Sequence, residues 1–232
     1  MIKAVGLTKI FDGKRALDAI DLSINDGSIY GLVGSNGSGK STFLRLAAGI
    51  YMPDSGEITA DGEKIFDNFR KKTEIAYLGD TPYFMPHATI KETAKLYHTV
   101  YPNFDNALYN RLLEIFPLDY KARIATMSKG MQEKMQLLLV MSREAKLYIL
   151  DEPLGGVDPV ARDFIMETIM KNHLANSTIL LSTHLIYDIE GILDRVLMVK
   201  GGSLAVNTDV KTISEHNMTV EDLFKEVFRN VM

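Results

Sequence analysis

Apolar and polar residues alternate at period two from Leu17 to Ile24, and residues 2–10 have strand character. Together they predict a half-exposed antiparallel pair turning at Phe11-Asp12-Gly13. Further on the pattern changes. Ile29, Tyr30, Leu32 and Val33 form an apolar run, residues 74–78 form another, and residues 146–150 are continuous enough to be buried on both faces of a parallel sheet. Residues 57–60 and 178–181 predict further strands, and 196–199 with 204–206 a hairpin around Gly201-Gly202. Helical spacing begins at Phe43 and recurs over 89–101 (inner face Ile90, Ala94, Tyr97) and 106–116 (Leu108, Leu112, Ile115). Ser128 is placed to N-cap a long helix. Residues 160–174, 185–193 and an amphipathic tail over 220–231 complete the helices.

Composition changes this picture mainly by exclusion. A 232-residue chain, 46% hydrophobic and 24% charged, is ordinary globular protein with ample material for a core. A net charge of -4 leaves no basic footprint, so nucleic acid is not an expected partner. With no cysteine there is no disulfide framework, and the five histidines lack metal-ligand spacing, so no zinc is expected. The first residues lack a signal-peptide core, and the longest apolar stretch, residues 137–141, falls far short of the ~18 residues that span a bilayer. Any membrane role is expected to run through a partner.

The chemistry concentrates where one apolar run meets one helix, at Gly34-Ser35-Asn36-Gly37-Ser38-Gly39-Lys40-Ser41-Thr42. Glycines in this spacing let backbone N-H groups turn inward around an anion, and the following helix N-terminus adds its positive end. Lys40 can reach terminal phosphates, and the Ser41 hydroxyl can ligate the Mg²⁺ that accompanies a nucleoside triphosphate. A chance match would arise in about one chain in a hundred of this composition. The strand-loop-helix context makes accident rarer still.

Two acids and a histidine fit the same site. Asp151 and Glu152 close the strand over 146–150, at the carboxyl rim where open α/β sheets bind ligands. On an extended chain their side chains would diverge, leaving Asp151 to hold Mg²⁺ through its water shell and Glu152 to act as general base. His184 follows the strand over 178–181 onto that rim, where it could hydrogen-bond the γ-phosphate or orient the water. Phe11 offers either a flat face to a purine or a core contact. The loop Pro82-Tyr83-Phe84-Met85-Pro86-His87 is either an interaction surface or a cover tucked beneath the next helix.

In their order these motifs resemble the ATP-binding cassette (ABC) ATPase domain, the motor of ABC transporters, over nearly the whole chain. Met127-Ser128-Lys129-Gly130-Met131-Gln132 is similar to the family's Leu-Ser-Gly-Gly-Gln signature, residues 146–152 to its second nucleotide motif, Gly155-Gly156-Val157-Asp158-Pro159 to its D-loop, and His184 to its switch histidine. The resemblance implies an α/β phosphate-loop NTPase core with a mixed sheet (1–80 and 146–232), an antiparallel β subdomain, and an inserted α-helical subdomain (81–145). It further implies that Phe11 stacks on adenine and that a second ATPase subunit pairs head to tail, its Ser128 and Gly130 completing each Mg-ATP site. A separately encoded transmembrane permease would be engaged through the 82–87 loop and the helical insertion, placing the chain on the cytoplasmic face of the membrane. The Ser-Lys-Gly-Met signature and the lack of a large extra C-terminal domain make it look like an ABC-2-type exporter motor. The competing class is a soluble ABC ATPase of assembly, repair or translation; its usual second cassette, coiled coil or basic arm is not found here.

This chain departs from the family pattern at three places. Asp80 stands where glutamine is usual after the 74–78 strand; it could still meet Mg²⁺ or water. Lys129 replaces a signature glycine, and Gly155-Gly156-Val157 replaces the more usual Ser-Ala-Leu or Asn-Gly-Leu.

Overall fold

A computed structural model describes residues 1–116, 118–155, 162, 165–167, 169–170 and 177–229. Strands β1 (Ile2–Phe11) and β2 (Lys14–Ile24) pair antiparallel, as their alternation requires, with Leu7, Leu17, Ile20 and Ile24 facing inward. With β4 (Ser55–Ala60) and β5 (Glu63–Lys64) they form a sheet ordered β2-β1-β4-β5. The second sheet is ordered β10-β9-β3-β8-β7-β6. Its members are β3 (Ile29–Val33), β6 (Ile75–Leu78), β7 (Leu147–Asp151), β8 (Thr178–Ser182), β9 (Arg195–Lys200) and β10 (Ser203–Asp209). Strands β9, β3, β8, β7 and β6 run parallel and β10 folds back antiparallel, so this sheet is mixed. Every residue of β3, β7 and β8 is buried, which is why those stretches read as apolar runs.

Helix α1 (Lys40–Ala47) fills the space between the two sheets with Phe43, Leu44, Leu46 and Ala47. At ~1.5–3 kcal/mol for each large apolar side chain, this burial outweighs the weak helix propensity of an eight-residue segment. A second core on the other face of the parallel sheet takes in α3 (Ile90–Val100), α4 (Asn106–Ile115) and α5 (Lys129–Met141). Thr89 and Glu92 form a reciprocal capping box at α3, and Ser128 caps α5 by accepting from Met131 N at 3.3 Å.

Several expectations are corrected. Helix α2 (Phe69–Thr73) and a helix over Val210–Glu215 were not predicted; both are too short to display a 3.6-residue period. Residues 185–193 divide into an α turn, Ile186–Ile189, and a 3₁₀ turn, Glu190–Ile192. On α4, Ile115 is exposed and Tyr109 buried, because Tyr109 and Leu112 face the core that Phe104 and Phe116 share. The C-terminal helix spans Val220–Phe228, and residues 230 and 231 of the predicted tail lie outside the described residues. So do Gly156, Val157, Asp158 and Pro159 of the D-loop match and much of the 160–174 helix; 162, 165–167 and 169–170 are helical.

Candidate active site

The phosphate loop leaves the buried end of β3 and enters α1 at Lys40, as predicted. Two of its glycines are required by shape. A Cβ on Gly34 would lie 2.4 Å from the Val199 carbonyl oxygen, and Gly39, at φ 111°, would bring one within 2.5 Å of the Ala16 carbonyl oxygen. The loop is braced from behind by the β9–β10 turn: Gly202 N donates to Ser38 O, and Asp18 N donates to Gly202 O, both at 2.9 Å. Lys40 is 7% exposed and its Nζ donates to the carbonyls of Gly34 (2.8 Å) and Ser35 (3.2 Å). Burial holds its pKa below the ordinary lysine value, while Glu152 and Asp151 pull the other way.

Asp151 ends β7 at 2% exposure. Its Oδ1 accepts from Ser182 Oγ, whereas its buried Oδ2 has no partner. Desolvation pushes its pKa up; the Ser182 hydroxyl and the nearby Ser41 hydroxyl favour the ionised form. An anionic oxygen buried without a donor is costly unless a cation sits beside it. Asp151 and Ser41 are thus a fitting pair for the Mg²⁺ of a bound triphosphate.

Glu152 corrects one geometric expectation. Strand alternation stops at Asp151, and Glu152 takes a left-handed backbone (φ 53°), held by its N-H donating to Ser182 O and Ser182 Oγ, both at 3.1 Å. This turns its carboxylate toward the loop that follows β8. There it accepts from His184 Nδ1 at 2.8 Å and from His184 N at 3.3 Å. An ionised carboxylate only accepts, so Nδ1 carries the proton and fixes the imidazole tautomer. Asp151, Glu152, Asp80 and Lys129 line one cavity of about 320 Å³. Asp80 is tied by Arg45 at 2.8 Å.

The remaining predicted residues lie around this centre. Phe11 is 40% exposed at the end of β1, so the core alternative fails; its ring meets Tyr51 edge-on at 5.5 Å. Asn36 and Gly37 are exposed on the loop. Ser128 is exposed and Gly130 half-buried at the start of α5. Among the described residues no hydrogen bond or ion pair joins 128–132 to 34–42. Three contributors were not identified from the sequence: Ser182, Arg45 and Tyr51. Ser182 ends β8 on the same rim, so the strand-end rule that found Asp151 could have found it; Arg45 and Tyr51 carry no local signal.

A glycine loop between a buried strand and a helix, a buried lysine, and an acid pair at the next rim define a phosphate-loop nucleoside triphosphatase. The family model described as "ABC transporter" matches residues 17–155, which contain the loop, the Ser128 helix and both acids, and the chain belongs to that family. It is similar to the ABC transporter ATP-binding protein YtrB of Bacillus subtilis, 31% identical over 97% of this chain and 77% of that one. It is also similar to the Nod factor export ATP-binding protein I of Bradyrhizobium diazoefficiens, 31% identical over 93% of this chain and 72% of that one. A solved structure of an ATP binding subunit of an ABC transporter superposes with a TM-score of 0.89 at 26% identity, covering 98% of this chain and 99% of that one. The chain is an ATPase of this family, the ATP-binding subunit of a transporter. Among its described residues no helix is long and apolar enough to cross a membrane.

Proposed function

We propose that this ATPase drives a membrane exporter as one of a pair of subunits that enclose two Mg-ATP. The observation that carries the reading is the meeting of Lys40, Asp151 and the Glu152–His184 pair at the phosphate loop. In this reading the loop amides of residues 34–42 hold the polyphosphate, Lys40 contacts its terminal groups, and Phe11 with Tyr51 supports the base. Ser41 and Asp151 hold Mg²⁺, which supplies charge neutralisation at the phosphates. The Asp80 carboxylate is taken up by Arg45, so in this reading it is given no part in holding the cation. Glu152 takes a proton from water as the water oxygen attacks the γ-phosphorus; the bond to the β-γ bridging oxygen breaks, and ADP and phosphate result. His184 orients Glu152.

Pairing is supported by the separation just described: the capped start of α5, with Ser128 and Gly130, is turned to solvent and contributes nothing to its own loop. Supplied by a second copy, it would close the site in trans. Export is supported by the named export function of the Bradyrhizobium relative. For the permease, the 82–87 loop divides its residues: Phe84 packs against the core, while Tyr83 (98% exposed) and Met85 (68%) stand free to meet a partner. Bound there, the chain would sit on the cytoplasmic face of the membrane.

Affinity purification from membranes, combined with light scattering with and without Mg-ATP, tests the whole reading. Co-purification of a polytopic membrane protein and ATP-dependent doubling of mass are expected. Recovery of ribosomes or DNA ends without a permease would put the chain among the soluble ABC ATPases instead.

A further inference from the structure

The cavity at the acids and a second depression share a wall. Asp80 lines the cavity with Asp151 and Glu152, and it also lines a groove of about 620 Å³ with Tyr77, Tyr97, Tyr101 and Arg143. Its carboxylate receives Nη2 of Arg45, which projects from α1 one turn beyond Lys40 and Ser41. The same guanidinium lies 5.9 Å from the Tyr51 ring, and Tyr51 meets Phe11. Asp80 thus adds a third carboxylate to Asp151 and Glu152 beyond the strand ends; Glu133, Lys129 and Lys134 of α5 line the same cavity, and Arg45 is the cation hydrogen-bonded to Asp80.

We propose that Arg45 is a positioning residue of the ATPase site: its ion pair holds Asp80 at the shared wall and neutralises it, so that a third carboxylate does not repel the bound triphosphate. This rests on the ATPase reading above. The pair sits at the boundary of the two spaces: Asp80 lines the cavity together with Asp151 and Glu152, and both Asp80 and Arg45 line the groove. The side chains are 30% and 44% exposed, so the pair adds little to fold stability and its loss is read at the site.

Equilibrium binding of a fluorescent ATP analogue with excess Mg²⁺, with melting midpoints in parallel, tests this on wild type, R45K, R45M, D80N and R45M/D80N. R45M should weaken binding about 5- to 10-fold, an effect that shrinks as salt is raised. R45K should keep most of the affinity. Adding D80N to R45M should restore binding to within about twofold of wild type, since the harmful charge is gone. A double variant as weak as R45M would make Arg45 a direct ligand or a scaffold residue and would overturn the proposal, as would an R45M that binds like wild type. If R45M melts early, D80N alone decides: freeing a cation should tighten binding about two- to fivefold, and no tightening counts against the idea. Lys40→Ala is the control. Equal analogue uptake by wild type and Lys40→Ala would remove the ATP-site reading itself, whereas a loss there with no effect at Arg45 removes this inference alone.

Discussion

Glu152 and Asp151 stand side by side, yet the fold treats them differently. Asp151 keeps the strand conformation and is buried with one oxygen unmet, while Glu152 has left the strand and reaches His184. Changing Glu152→Gln should cut phosphate release by about 10²–10⁴-fold and leave ATP binding in place, because only the proton acceptor is lost. Unchanged turnover in a phosphate-release assay would remove Glu152 as base. For Asp151 the sign follows from its raised folded-state pKa. The protonated form contributes stability that is present below the unfolded value of 3.8 and lost as pH rises through the folded value. Asp151→Asn should therefore stabilise the nucleotide-free chain at neutral pH by roughly 1–3 kcal/mol, and the gain should vanish as pH falls toward that unfolded value. Urea titrations at several pH values read this directly. At this scale the sequence located Asp151, Glu152 and His184 because strand ends are legible from apolar runs. The turned backbone of Glu152 was not legible, since it depends on hydrogen bonds to Ser182, 30 residues away.

Among the elements, the long periodic and capped ones were readable and the short ones were not. Helices α3 and α5 announced themselves through their apolar spacing, and α5 also through Ser128, whereas the Thr89 capping box of α3 emerged only in the structure. Helix α2 is five residues long and rich in lysine and arginine; Lys71, 3% exposed, pairs with Asp61 at 2.9 Å and Glu74 at 3.2 Å. Nothing within 69–73 foretells those partners. Two substitutions separate local capping from burial. Ser128→Ala removes the acceptor for Met131 N and should cost about 1 kcal/mol, lowering the melting midpoint by about 2–4 °C. Leu44→Ala opens the fully buried contact between α1 and both sheets and should cost about 2–5 kcal/mol. Thermal unfolding distinguishes them, and equal costs would deny α1 its place at the centre of the core.

For the molecule as a whole, the two-sheet plan and the mixed parallel order agree with the α/β expectation. The proposed pairing with a second copy and docking to a permease came from the family resemblance rather than from the apolar pattern, because hydrophobic periodicity records a chain's own core. One consequence follows from α1 lying between the sheets. Whatever stiffens residues 34–42 is transmitted to the antiparallel layer on one side and the parallel layer on the other, so nucleotide should act as a keystone for both. Mg-ATP at a hundred times its Kd would add about 2.7 kcal/mol to unfolding. Scanning calorimetry should register that gain as one endotherm displaced upward in its entirety; a trace in which one layer melts early and ignores the nucleotide would show that the keystone bears on one side alone.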